Sequence, residues 1–239
     1  MKIYFLGTSH GVPEPNRGCS CTMVEVQGKY YVIDIGVMLF EKLATLGIDI
    51  NDVKAVFCTH MHGDHTNGLI SFVDLLSWYY KTAEPEIHLP DTQCVSVIRD
   101  WIDCSFSQPM RDLPFKKIEA GVIFDDGVVK ITAIPTMHCK LSYAFLVEAE
   151  GKTVLLTGDI RSPGIDFPTV AFERELDLVI AEAAHFMVED YLDVFQKCHI
   201  KSVCINHYSQ KRIGSFVDLQ KAMAPIPVCL ATDGLEFRL

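Results

Sequence analysis

Short apolar runs rich in Val, Ile, Phe and Tyr recur along the chain and read as strands. Residues 2–6 are followed by 22–26 and 30–35, the last two joined by a turn at Gln27-Gly28. The spacing predicts a helix over 38–45, and residues 53–57 form the next strand. Residues 69–81 have helical spacing, 87–89 make a short strand, and 92–104 again look helical. Beyond Pro114 the pattern returns to strands at 116–119, 128–134, 142–149 and 152–156. A short helix ends within 172–176, and 178–181 is a strand. A helix at 188–197 precedes a strand at 202–205, and a helix at 215–223 leads to strands at 228–230 and 235–239. Two strand-rich halves, each accompanied by helices, predict a layered α/β domain with sheets inside and helices outside. No linker, repeat or low-complexity segment interrupts the pattern, so one domain over residues 1–239 is expected.

The strand at 53–57 ends in Thr59-His60-Met61-His62-Gly63-Asp64-His65, an H-x-H-x-D-H cluster. Packing does not explain three histidines and an aspartate crowded just beyond a buried strand. Imidazole and carboxylate together suit a borderline or hard divalent ion such as zinc, manganese or iron. Other ligand types also stand just past strands: His138, Asp159, His185 and His207. Strand ends are rigid platforms whose following loops can converge on one edge of a sheet.

Composition narrows the field. The net charge of −10 argues against a nucleic-acid surface covering most of the protein. Nine cysteines, several in strand-like runs, read as small thiols rather than a disulfide framework. The N-terminal apolar run is too short for a signal peptide, and no run approaches the roughly 20 apolar residues of a membrane span. A cytoplasmic protein without a membrane partner is the expectation.

H-x-H-x-D-H, then His138, then Gly158-Asp159, then His207, each after a strand, resembles the metallo-β-lactamase superfamily nearly end to end. The resemblance implies an αβ/βα four-layer sandwich, two mixed sheets flanked by helices. It also implies two divalent metal ions. His60, His62 and His138 would hold one, Asp64, His65 and His207 the other, and Asp159 would bridge both. Two such ions clamp a bridging hydroxide, and coordination lowers a water's pKa to about 7. True β-lactamases carry a cysteine where Asp159 stands, so β-lactam hydrolysis is not expected.

The segment Phe5-Leu6-Gly7-Thr8-Ser9-His10-Gly11-Val12-Pro13, with Arg17 and Ser20, resembles the first motif of the phosphodiesterase branch. That branch includes tRNase Z and the cyclic phosphodiesterase of phosphonate breakdown. Residues 135–138, continued through Tyr143, and the ending Asp233-Gly234-Leu235-Glu236 are similar to it as well. His138 and Asp159 are only 21 positions apart, which leaves no room for the tRNA-grasping arm of tRNase Z. The later His-Ser-Thr motif of that family is absent too. The cyclic phosphodiesterase fits the spacing, but of its structural-zinc cysteines only Cys19 and Cys21 are matched.

The resemblance implies a hydrolase using metal-bound hydroxide on a small or cyclic phosphodiester, without extended tRNA binding. His185 is the candidate general acid, oriented by Glu182, and Asp64 is counted with them as catalytic. Asp34 and Asp233 are candidates to orient metal ligands through hydrogen bonds, each with a bland alternative as a capping or strand-end carboxylate. Arg17, Lys140 and Arg212 are candidate phosphate contacts, although most such side chains simply sit in solvent, and Tyr143 is a candidate stacking residue, although an aromatic in a strand is more often core. His10, in the glycine-rich loop, is a further substrate contact to consider. His88 and His199 read as structural, and Trp78, Tyr79 and Tyr80 as packing residues. Two alternatives stand beside the phosphodiesterase: a thioester or lactone hydrolase of the same fold, and a metal-binding sensor without hydrolase activity. A homodimer is among the allowed oligomeric states.

Overall fold

The computed structural model describes residues 1–105 and 108–239. The first sheet takes β1 (Lys2–Gly7), β2 (Cys21–Val26), β3 (Lys29–Ile33), β4 (Val53–Phe57), β5 (Glu86–Leu89) and β6 (Phe115–Lys117). The second takes β7 (Gly121–Asp125), β8 (Lys130–Pro135), β9 (Tyr143–Ala149), β10 (Lys152–Leu156), β11 (Leu178–Ala183), β12 (Val203–Tyr208) and β13 (Val228–Leu230). The last strand, β14 (Glu236–Arg238), returns to the first sheet beside β1. The strand orders are β14-β1-β2-β3-β4-β5-β6 and β13-β12-β11-β10-β9-β8-β7.

Both sheets are mixed. Pairing is antiparallel from β14 to β3 and from β7 to β10, and parallel from β3 to β6 and from β10 to β13. The parallel halves need crossovers, and the helices that supply them cover the outer faces. Helices Leu39–Leu46, Leu69–Trp78 and Cys94–Cys104 contribute Leu43, Phe72, Leu76 and Ile98 to a core against the first sheet. Helix Phe216–Met223 and the short helical turns Val188–Tyr191 and Leu192–Phe195 pack Leu219, Tyr191 and Phe195 on the second. Between the sheets lies a third core of Ile3, Phe5, Tyr31, Phe57, Phe145, Val147 and their neighbours. The result is helices, sheet, sheet, helices, the four layers expected. Among the described residues no helix is long and apolar enough to cross a membrane.

Several local readings are corrected. β7 was not expected; it is an edge strand whose outer residues, Val122 among them, face solvent, so its apolar pattern is broken. The helix expected over 188–197 is two single turns. The helix from Leu69 stops at Trp78, leaving Trp78 and Tyr79 exposed, while Tyr80 stacks on Phe40 at 4.5 Å. Cys104 is exposed, although Cys19, Cys21, Cys58 and Cys204 are buried thiols and no described cysteine is paired.

Phe57 places a full ring between the sheets, 6.2 Å from Phe145 and 5.5 Å from Phe124. Phe57→Ala should therefore cost about 3–5 kcal/mol in urea unfolding. A loss below about 1 kcal/mol, like that of a surface truncation at Val122, would contradict this placement of the core.

Candidate metal centre

The carboxyl ends of the parallel strands from both sheets meet at one edge. Beyond β4 the chain turns through Thr59 and His60 into a one-turn helix, Gly63–Thr66, that carries Asp64 and His65. β8 leads to His138, β10 to Asp159 and β11 to His185. His207 lies inside β12 rather than after it, because the strand continues to Tyr208. Two glycines make the approach possible. A side chain on Gly36 would put its Cβ 2.0 Å from the Asp64 carbonyl oxygen. At Gly158 it would lie 2.7 Å from the Tyr143 carbonyl, and φ there is +55°. Only glycine accepts that combination of conformation and contact.

Two groups of ligand atoms result. In the first, His60 Nε2 lies 2.9 Å from His62 Nδ1, and His138 Nε2 lies 3.2 Å from the same atom. Asp159 Oδ2 stands 3.6 Å from both His60 Nε2 and His138 Nε2. In the second, Asp64 Oδ2 lies 3.4 Å from His65 Nε2 and 3.6 Å from His207 Nε2. Asp159 Oδ1 completes it, 3.5 Å from His65 Nε2 and 3.4 Å from His207 Nε2. Ligands bonded at 2.0–2.1 Å to a tetrahedral ion stand about 3.3 Å apart, so both groups have the spacing of a coordination shell. His65 Nε2 and Asp159 Oδ1 are buried with no hydrogen-bond partner among the described residues. Buried polar atoms left this way ordinarily mean that something else satisfies them. The residues therefore fit two divalent ions, with Asp159 offering one oxygen to each.

The surroundings fix the rings. Asp34 Oδ2 accepts from His65 Nδ1 at 2.7 Å, and Oδ1 accepts from the Thr59 amide, also at 2.7 Å. Thr59 Oγ1 lies 3.1 Å from His60 Nδ1 and bonds the Asp34 carboxylate. Nδ1 of His60 and His65 is thus engaged, and Nε2 points into the site. Burial and the neighbouring His65 push the His60 imidazole down to about 2, which keeps its lone pair free of a proton. Burial works to raise Asp64, but the polar contact with His65 at 3.4 Å and the nearby His207 outweigh it and hold the carboxyl at about 2. Sequence reasoning missed Thr59, although its position at the head of the cluster was visible.

Beside the two groups stands a third feature. Glu182 is buried, and both its oxygens lie 2.9 Å from His185 Nδ1. It also accepts from the amides of Ile160 and Ala184 at 2.9 Å. His185 is 38% exposed at its side chain, with Nε2 3.8 Å from Asp159 Oδ2. The hydrogen bond with Glu182 raises the proton affinity of that imidazole.

The remaining candidates divide. Lys140 is exposed on the turn after His138. Arg212 sits on a turn, Gln210–Arg212, with Nη1 3.9 Å from Met187 Sδ, two residues past His185. Gly11, in the first-motif loop, lies against Asp64: a Cβ there would be 3.4 Å from Oδ2. His10 next to it reaches Glu14 at 3.4 Å. Three expectations are corrected. Tyr143 is buried between the sheets and its hydroxyl bonds the Ile118 carbonyl, so it has no free face for stacking. Asp233 touches no metal ligand; it accepts from the Thr8 amide and hydroxyl and from the Gly18 amide. Arg17 spends its guanidinium on Thr8, Glu14 and Tyr208 rather than facing a phosphate.

A family model described as "Anti-Pycsar protein Apyc1" matches residues 1–212. The chain belongs to this family. Among curated relatives it is similar to ribonuclease Z of Pseudomonas putida strain F1, 30% identical over 61% of this chain and 46% of that protein. Ribonuclease Z of Nitrosopumilus maritimus is 30% identical over 64% of this chain and 50% of that protein. The chain thus spans about half the length of these relatives. Among solved structures, the short form of human tRNase Z superposes with a TM-score of 0.79 at 21% identity, covering 100% of this chain and 99% of that one. YhfI from Bacillus subtilis, a metallo-β-lactamase fold protein, gives 0.72 at 18% identity over 99% and 98%. A diphosphatase of the PhnP family gives 0.71 at 19% identity over 100% and 97%. The Apyc1-family chain therefore has the metallo-β-lactamase fold.

If Asp34 orients His65 toward an ion, Asp34→Ala should weaken metal binding about 10–100-fold, read by chelator competition. Unchanged affinity in a folded variant would contradict that role.

Proposed function

We propose that the protein is a dinuclear-metal hydrolase acting on a small phosphodiester, such as a cyclic phosphate or cyclic nucleotide. The observation that carries this reading is the position of Asp159 between two ligand groups, one oxygen facing each, beside a solvent-accessible Glu182–His185 pair. His60, His62 and His138 would hold one ion and Asp64, His65 and His207 the second, with Asp159 available to both. Two ions held this way would supply an activated water at neutral pH and stabilise the attacking and leaving oxygens of an in-line displacement.

The chain's own residues do the rest. Glu182 accepts from His185 Nδ1, which turns Nε2 toward the site and favours a proton there. His185 holds that proton at Nε2 and delivers it to the departing oxygen. Lys140 and Arg212, at the edge of the site, counter the charge of a phosphate. The chain between His138 and Asp159 is taken up by β9, its turn and β10, which leaves no arm for a large RNA and favours a small substrate. The net charge of −10 works against a long polyanion as well. The names ribonuclease and diphosphatase carried by relatives denote hydrolysis at phosphorus and favour this chemistry over a thioester or lactone.

Metal-loaded protein should hydrolyse bis(p-nitrophenyl) phosphate or a cyclic nucleotide and leave a thioester and lactone panel untouched. Turnover confined to that panel would overturn the reading. His185→Ala should keep metal content and melting temperature while kcat falls about 10²–10⁴-fold. Wild-type turnover in that variant would remove His185 from the mechanism.

A further inference from the structure

His207 differs from the other buried ring nitrogen ligands in how it is held. His65 is oriented by Asp34 and His60 by Thr59, each through Nδ1. His207 Nδ1 is buried and has no hydrogen-bond partner among the described residues. A metal-ligating histidine ordinarily has its ring fixed by such a partner. The His207 ring must be aimed by its backbone instead.

That backbone is unusual. Glu182 pairs with Asn206 and Ala183 with Tyr208, so His207 is an extra residue bulged out of the β11–β12 ladder. Bulges re-aim side chains and recur beside functional sites. The residue has φ +44°, in the left-handed region that a non-glycine residue keeps only when its neighbours hold it there.

The neighbours converge on Arg17. Its Nη2 donates to the Tyr208 carbonyl at 3.0 Å and to the Thr8 carbonyl at 2.5 Å. Nε donates to Thr8 Oγ1 at 3.1 Å, and the guanidinium lies 3.8 Å from the centre of the Tyr208 ring. Glu14 holds the far side at 2.6 Å. The Tyr208 amide donates to the Thr8 carbonyl at 3.3 Å, where the end of the first sheet bridges to β12. One Arg17 N–H bond, the Tyr208 amide's own bond to Thr8 and the stacked ring thus grip the residue after His207, and three further N–H bonds fix Arg17 to Thr8 and Glu14.

We infer that Arg17 is the positioning residue for His207: it clasps Tyr208 to Thr8, keeps His207 in its left-handed bulge, and so completes the ligand group with Asp64 and His65. The inference rests on the two-ion reading above. A lysine cannot replace this arginine, because an ammonium on a flexible stem does not reproduce the planar fork or its stacking on Tyr208.

The test is zinc binding by metal analysis and chelator competition on wild type, Arg17→Ala, Arg17→Lys and His207→Ala. Wild type should hold two ions per chain and His207→Ala should lose one of them. Arg17→Ala should bind that same ion about 10–100-fold more weakly and keep the other at wild-type affinity. Restored at saturating zinc, it should show a wild-type KM for the phosphodiester. Arg17→Lys should fall on the same side as Arg17→Ala, and it stands in if the alanine variant does not fold. Both ions bound at wild-type affinity in a folded Arg17 variant, equal loss of both, or a raised KM at full metal content would each overturn the inference. Fewer than two ions on wild type would instead overturn the reading it rests on.

Discussion

The structure turns on one buried carboxylate. Asp159 lies between His60 and His138 on one side and His65 and His207 on the other, at 3.4–3.6 Å from each. A carboxylate taken out of water is costly unless it is paired. Among the described residues no hydrogen bond meets its Oδ1, and the surrounding imidazoles are the groups that would hold two cations to compensate it. The demand reaches outward. Gly158 lets the chain turn sharply against Tyr143 and Thr59, Gly36 lets Asp64 approach, and Asp34 ties Thr59 and His65 together.

The two sheets exist, in functional terms, to bring those groups to one edge. β4 delivers the histidine cluster from the first sheet, and β8, β10, β11 and β12 deliver the rest from the second. The ligand group of His60, His62, His138 and Asp159, and the group of Asp64, His65 and His207, each draw on both sheets. The interlayer packing around Phe5, Phe57 and Phe145 therefore sets the register of the ligands as well as the stability of the fold. The loop after β1, which carries Gly11 against Asp64 and Arg17 against Tyr208, is the stitch between the two layers at that edge.

Much of this was legible in the chain because it is local. Strand periodicity located β4 and β10 at their observed bounds, and ligand types stacked just beyond strands picked out the residues that converge. What was not legible depends on distant partners. Arg17 has the residue type of a phosphate contact, and only the arrival of Tyr208 from 191 positions away shows that its donors are spent. Tyr143 stands in an apolar strand run, where an aromatic is more often core than a stacking platform, and its ring is covered by the facing sheet. β7 escaped because an edge strand with one solvated face lacks the apolar run of a central one.

The most direct test of the account is a metal-loaded crystal structure with anomalous scattering from the bound ions. It should show two peaks about 3.5–4 Å apart, each bonded to a different oxygen of Asp159. A single peak, or ions held without Asp159, would contradict it.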